Sequence, residues 1–192
     1  MSHVTVVIPT IAPRKQLLQE ALDSVNVQSF KNYEILVAED LDHAGAAVTR
    51  HEALMRVKSP WVAFLDDDDM FMAHHLERLI GHQEETNADY VYSWFWTLPA
   101  GLDPFPPGHF LDPWDKDNPR QTTITTLVRT ELAQQVGFLG PDPDPTGDGM
   151  RSGEDWGFTL ECNRLGTISH LVERTWYWRH WGGNTSGLGN RW

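Results

Sequence analysis

The stretch Trp61-Val62-Ala63-Phe64-Leu65-Asp66-Asp67-Asp68-Asp69 decides how this chain is read. Five apolar residues make a run of the length of a buried strand, and the run ends in four consecutive carboxylates. Four like charges at a strand end repel one another unless cations share the space. Hard divalent cations such as Mg²⁺ and Mn²⁺ are held by carboxylate oxygens and keep positions open for substrate phosphates. In open α/β sheets ligands bind outside the carboxyl ends of the strands, which is where these acids fall. A helix opening at Met70 would explain one of them, with Asp69 as its N-cap and the helix dipole favouring its neighbours. A cap needs one acid, and four point to a cation site.

Upstream of this run the chain alternates. Val4-Thr5-Val6-Val7-Ile8 is a β-branched run stopped by Pro9, a first strand. Pro13 can open the helix that follows, in which Leu17, Leu18, Ala21, Leu22 and Val25 form an apolar stripe. Tyr33 to Ala38 reads as a second strand ending in Glu39 and Asp40, and a helix from about Ala44 to Val57 leads back to the strand of the acidic run. The order β-α-β-α-β predicts an α/β, Rossmann-like, mostly parallel sheet flanked by helices. Thr10, Asp40 and Asp66 to Asp69 then share one sheet edge, the expected binding site.

Downstream, Phe71, Leu76, Leu79 and Ile80 stripe a further helix, and His74 and His75 are read as residues of its surface. Tyr90 to Trp96 is strongly β-prone, Pro99 to Pro119 is rich in loop-forming residues, and Thr122 to Val128 resumes as a strand. A short helix is expected over Glu131 to Val136 and a longer one from about Asp155 to Leu165, after a Pro/Gly/Asp loop from Pro141 to Gly153. Asp142-x-Asp144-x-Thr146-Gly147 resembles the start of an EF-hand loop, but position twelve is Gly153 where Glu is required. No repeat or linker divides the 192 residues, so one domain is expected.

The formal net charge of −12 argues against general nucleic-acid binding and against binding to anionic membranes. An anionic substrate remains compatible where a metal ion supplies local positive charge. Cys162 is the single cysteine, so no intramolecular disulfide forms, and a small buried thiol is the plain reading. Met1 to Ala12 lacks the basic and apolar segments of a signal peptide, and no membrane span is visible. A soluble cytoplasmic protein is expected, with a homo-oligomer left open.

Five segments carry a resemblance: VVIPT (Val6–Thr10), EILVAED (Glu34–Asp40), WVAFLDDDD (Trp61–Asp69), GEDWGFTLECNRLG (Gly153–Gly166) and YWRHWGGNTSG (Tyr177–Gly187). In order and content they resemble the family-2 nucleotide-sugar glycosyltransferases of the GT-A fold. The resemblance implies a nucleoside-diphosphate-sugar donor, a carbohydrate or other hydroxyl-bearing acceptor, and transfer with inversion assisted by Mn²⁺ or Mg²⁺. It further implies a donor and metal half over about residues 1–98 and an acceptor half over about 99–192. Pro9, Thr10 and Asp40 match donor-side positions, Asp40 meeting the nucleobase. Asp68 and Asp69 match the metal motif, and Asp66 also fits an Asp-x-Asp reading, so the assignment among these acids stays open. Asp155, beside Glu154, matches the base that takes the acceptor proton. Arg50 and Arg179 are phosphate candidates, His180 is a candidate for closing over the metal or diphosphate, and Trp156 could stack on an acceptor sugar. Trp94, Trp96 and Trp114 offer further aromatic faces.

The chain departs from the family pattern in three places. Arg50 is followed by His51 where the family often has Asn. His180 stands one position nearer Arg179 than usual. Asp40 runs almost directly into the next helix, so a βα unit is missing and nucleobase recognition is expected to be looser. Without appended membrane helices, transfer of single sugars is implied. A sugar-nucleotide pyrophosphorylase would need a Gly-rich loop after the first strand, where Pro9-Thr10-Ile11-Ala12-Pro13 stands instead. The surviving alternative is a catalytically inactive sugar-nucleotide-binding protein on the same fold.

Overall fold

Strand β1 (Val4–Thr10) is buried along its whole length, as its run of β-branched residues requires of a strand covered on both faces. It pairs in parallel with β2 (Tyr33–Glu39) on one side and with β3 (Trp61–Phe64) on the other. The crossovers are α1 (Lys15–Asn26), entered through a 3₁₀ turn at Ala12–Arg14, and α2 (Ala46–Arg56). This computed structural model describes residues 3–101, 103, 105–139 and 153–180. The loop expected over Pro141 to Gly153, with its EF-hand-like start, lies outside them except for Gly153, as do Asn184, Thr185 and Ser186.

The chain continues through β4 (Met70–Phe71), α3 (His75–Thr86), β5 (Tyr90–Leu98), α4 (Pro107–Leu111), β6 (Thr126–Arg129), α5 (Thr130–Val136), α6 (Glu154–Leu165) and β7 (Ile168–Arg179). The sheet order is β2-β1-β3-β6-β5-β7-β4. β6 runs antiparallel to β3 and β5, and β4 runs antiparallel to β7. The other five strands share one direction, so the mostly parallel α/β fold expected from the sequence is the one formed. The core between sheet and helices is aromatic, with Phe64, Tyr90, Trp94, Phe95, Phe158 and Trp176 all fully buried.

Some readings differ from expectation: Phe71, read with the helix that follows, lies in strand β4 and α3 starts only at His75. α4 lies inside the stretch read as loop, where Pro106 and Pro107 supply the fixed φ of a helix start. β7 is a twelve-residue strand whose Glu173 and Arg174 break the apolar run that would have announced it. His75 is not a surface residue: it is fully buried, stacked on Phe71 with ring centroids 3.9 Å apart, and its Nδ1 lies 2.7 Å from Thr175 Oγ1. Burial, with His74 nearby, pushes its pKa down to about 3. Cys162 is buried, as read. Among the described residues no helix is long and apolar enough to cross a membrane.

The link from β2 to α2 is as short as the sequence implied, residues 40–45. Asp40 closes it by accepting the backbone N–H groups of Ala44 and Gly45, each at 2.8 Å. Those bonds hold its carboxyl below the usual range. Gly45 sits at φ +91°, a conformation that suits glycine.

Candidate functional site

The acidic run turns sharply once β3 ends. The N–H of Asp69 donates to the carbonyl of Asp66 at 3.1 Å, and this turn gathers the carboxylates of Asp66, Asp68 and Asp69 so that one oxygen of each lies within 4.8 Å of the others. Three hard oxygen donors converging in this way suit a Mg²⁺- or Mn²⁺-class cation. Burial, with Asp66 and Asp68 alongside, raises the Asp69 carboxyl well above its ordinary range, against the lowering effect of the Arg179 N–H. That is the electrostatic deficit a cation would relieve. Asp67 points elsewhere, accepting Thr10 Oγ1 at 2.7 Å and Arg14 Nη1 at 2.8 Å.

Facing this cluster is α6, whose first residues are Glu154 and Asp155. Gly153, at φ +112°, turns the chain into the helix through a conformation that costs other residues strain. Arg50, from the middle of α2, spans the gap. Its Nη2 donates to Asp66 Oδ1 at 2.8 Å, while Nη1 donates to Asp155 Oδ1 at 3.0 Å and to Glu154 Oε1 at 3.2 Å. The guanidinium lies over the Phe138 ring, 5.4 Å from its centroid, and Phe138 stacks on Phe158 at 4.3 Å. His51, standing where the family often has Asn, accepts the N–H of Phe138 at 3.3 Å. Its ring would lie 2.9 Å from a Cβ placed on the preceding Gly137, so glycine is needed there.

Asp155 keeps 36 % of its side chain accessible. Partial desolvation raises its pKa to about 7; Arg50 pulls it down, and Glu154 and Asp66 push it up. A carboxyl so poised is half ionised near neutrality, the range in which a general base works best.

The other sequence candidates are distributed as follows. Pro9 and Thr10 end β1 at the same sheet edge, and the Thr10 hydroxyl is given to Asp67. Asp40 is at that edge too, engaged with its own loop. Arg179 anchors the acid run from β7: its backbone N–H donates to Asp69 Oδ1 at 2.8 Å, its Nε to the Asp68 carbonyl at 3.0 Å, and its Nη2 to Glu20. His180 is exposed, donates its backbone N–H to the Leu98 carbonyl at 2.8 Å, and is not part of the carboxylate cluster. Trp156 and Trp94 are buried and Trp114 mostly so; Trp96 is 53 % exposed, with the Arg174 guanidinium over one face of its ring at 4.9 Å. Sequence reasoning missed Arg14, which reaches Asp67 and comes within 3.6 Å of Asp68. Its signal was its place, a cation just beyond the carboxyl end of β1.

Residues 41–133 match the family described as glycosyl transferase family 2. That span is 93 of the 192 residues, just under half of the chain, and over it the chain is similar to that family. The matched span includes the acidic run and Arg50 and stops short of Asp40 on one side and Asp155 on the other. An uncharacterized glycosyltransferase of Haemophilus influenzae is 24 % identical over 111 residues, which are 46 % of this chain and 37 % of that protein. Among solved structures, S. aureus TarS 1–349 in complex with UDP-GlcNAc superposes with a TM-score of 0.79 at 20 % identity, covering 96 % of this chain and 60 % of that one. The UDP complex of the same protein gives 0.76 at 20 % identity, over 94 % of this chain and 61 % of that one. The domain described here thus has the GT-A architecture. It spans a little over a third of the curated relative and about three fifths of the TarS fragment.

Proposed function

We propose that this protein transfers a sugar from a nucleoside-diphosphate sugar to an acceptor hydroxyl with inversion at the anomeric carbon. The observation that carries the reading is Asp155, a carboxyl with a pKa raised to about 7, facing the Asp66-Asp68-Asp69 cluster across Arg50. Within one domain, residues 1–98 would hold donor and cation and residues 99–192 the acceptor.

In this mechanism Asp66, Asp68 and Asp69 would hold a divalent cation, whose charge would offset that growing on the leaving group. Asp155 takes the proton of the acceptor hydroxyl as its oxygen bonds to the anomeric carbon. On the opposite face the bond from that carbon to the phosphate oxygen breaks, and the nucleoside diphosphate leaves with the electron pair. Glu154, beside Asp155, pushes the Asp155 pKa up and supports its basicity. Asp40 contributes to the nucleobase end with whatever acceptor capacity its loop leaves it. Arg179 acts through Asp68 and Asp69, fixing the acid run from behind. Trp96 is the better stacking surface for an acceptor ring than Trp156.

A uridine donor is the first to test, because TarS is similar in fold and its structures contain UDP-GlcNAc and UDP. Calorimetry with UDP-, GDP- and dTDP-sugars, with Mn²⁺ and with chelator, followed by detection of released nucleoside diphosphate, tests the whole proposal. Metal-dependent binding with product release is expected. Binding without any turnover over a broad set of acceptors would favour the inactive binding protein instead.

A further inference from the structure

Arg50 was expected to meet phosphate, yet its charge is already shared among three carboxylates. Its side chain is 3 % exposed, with Asp66 on Nη2 and with Glu154 and Asp155 on Nη1. Its Nε is buried without a hydrogen-bond partner, and the ring of Phe138 covers one face of the group. A donor phosphate would have to displace a carboxylate to reach it. What the planar fork does instead is fix a geometry. One rigid guanidinium sets the separation of Asp66, in the acid run, from Asp155, at the head of α6.

We propose that Arg50 is a positioning residue that holds the Asp155 carboxylate in place and couples it to cation occupancy at Asp66. The proposal rests on the transferase reading, in which Asp66 belongs to the cation site and Asp155 is the base. Its physical content is a competition. Asp66 gives Oδ1 to Arg50 and belongs to the three carboxylates that would hold the cation. A cation drawn to Asp66 weakens the hold of Arg50 on that carboxylate, so the guanidinium commits more fully to Asp155 and Glu154. The coupling is reciprocal. Removing the charge of Asp155 leaves Arg50 more firmly on Asp66, where it opposes the cation. Removing the charge of Arg50 frees Asp66 for the cation and leaves Asp155 unplaced.

The test measures Mn²⁺ affinity by titration calorimetry, UDP affinity in the same cell, and donor turnover, for the whole chain and its Arg50→Gln, Arg50→Lys and Asp155→Asn variants. Arg50→Gln is expected to bind Mn²⁺ about 10-fold more tightly, the relief of a single charge from a double charge across roughly 6 Å of watery surroundings. Its turnover is expected to fall at least ~10²-fold, as when a base is lost. Asp155→Asn should weaken Mn²⁺ binding about 5-fold, the low end of measured couplings. Arg50→Lys should keep Mn²⁺ affinity near wild type and recover part of the turnover. Unchanged or weaker Mn²⁺ binding in a folded Arg50→Gln protein would overturn the proposal. So would Mn²⁺ affinity untouched by Asp155→Asn, which decides the matter if Arg50→Gln does not fold. Loss of UDP binding at saturating Mn²⁺ in Arg50→Lys, with Mn²⁺ affinity unchanged, would make Arg50 a phosphate ligand and overturn it too. If the wild type turns over no sugar nucleotide, the transferase reading fails, while the two Mn²⁺ measurements still decide the role of Arg50.

Discussion

Asp69 and Arg179 meet where β4 pairs with β7: the main-chain N–H of Arg179 donates to Asp69 Oδ1 at 2.8 Å. A backbone donor cannot be supplied or removed by exchanging the arginine side chain. The placement of Asp69 is therefore a property of the strand pairing.

The acid run is expected to divide into two kinds of carboxylate. Asp69→Asn should abolish Mn²⁺-dependent nucleotide binding and leave folding intact, because the amide oxygen can still accept from Arg179. Asp67→Ala should leave the cation cluster in place and lower stability by roughly 1–3 kcal/mol, since the buried Thr10 hydroxyl and Arg14 lose their acceptor. Urea unfolding beside Mn²⁺ calorimetry separates them. Equal loss of metal binding in both variants would refute the division.

Asp155→Asn keeps shape and removes the proton acceptor. Turnover at saturating donor and Mn²⁺ should fall at least ~10²-fold, with nucleotide affinity at saturating Mn²⁺ unchanged. In the wild type, the rate should climb with pH and level at or below about 7, because only the ionised carboxylate accepts a proton and a cation at Asp66 strengthens the hold of Arg50 on it. A flat profile from mildly acidic to mildly basic pH would remove Asp155 from the base role.

Asp40 does double service in this reading, so its replacement should show two effects. Asp40→Ala releases the N–H groups of Ala44 and Gly45 and loosens the start of α2. Weaker nucleoside-diphosphate binding together with faster hydrogen exchange over residues 41–46 is expected. Weaker binding with unchanged exchange would make Asp40 purely a ligand.

His75 makes a prediction about pH and stability. Its pKa is near 3 when folded and about 6.5 when unfolded, so the unfolded chain gains the proton first as pH falls. Its contribution is whole above pH 6.5 and is lost progressively as pH drops toward 3. At pH 5 the loss amounts to roughly 2 kcal/mol. His75→Asn should flatten the fall in unfolding free energy between pH 7.5 and 5 by about that much. A parallel fall in both proteins would show that His75 titrates as if exposed.

Much of the donor side was legible because its signals are local. Val4 to Ile8 and Trp61 to Asp69 each carry strand, terminus and chemistry within a few residues, and the parallel order followed from them. His75 was misplaced because a histidine in a helix has no periodic signature of its own, and its burial depends on β7, which the sequence hid behind Glu173 and Arg174. The carboxylates of the acid run were read together from the sequence, but their link to Asp155 through Arg50 was not. Nothing in the spacing of Arg50, Asp66 and Asp155 announces that one guanidinium joins all three, since the contact spans 105 residues of chain. Trp156 and Trp94 were read by their rings, and burial then took those rings away.

Arg179 belongs to β7, and it contacts Asp69 from 110 residues later in the chain and Glu20 from 159 residues later. A polypeptide is made from its amino end at about 5–20 residues per second. The nascent chain therefore exposes its four adjacent carboxylates for several seconds before the strand that braces them exists. The central strands can pair during that interval, but the charged edge stays unfinished until β7 docks beside β4 and β5. The acidic edge is thus completed only after the central strands can have paired, and the cell meets a folded scaffold before it meets the finished carboxylate cluster.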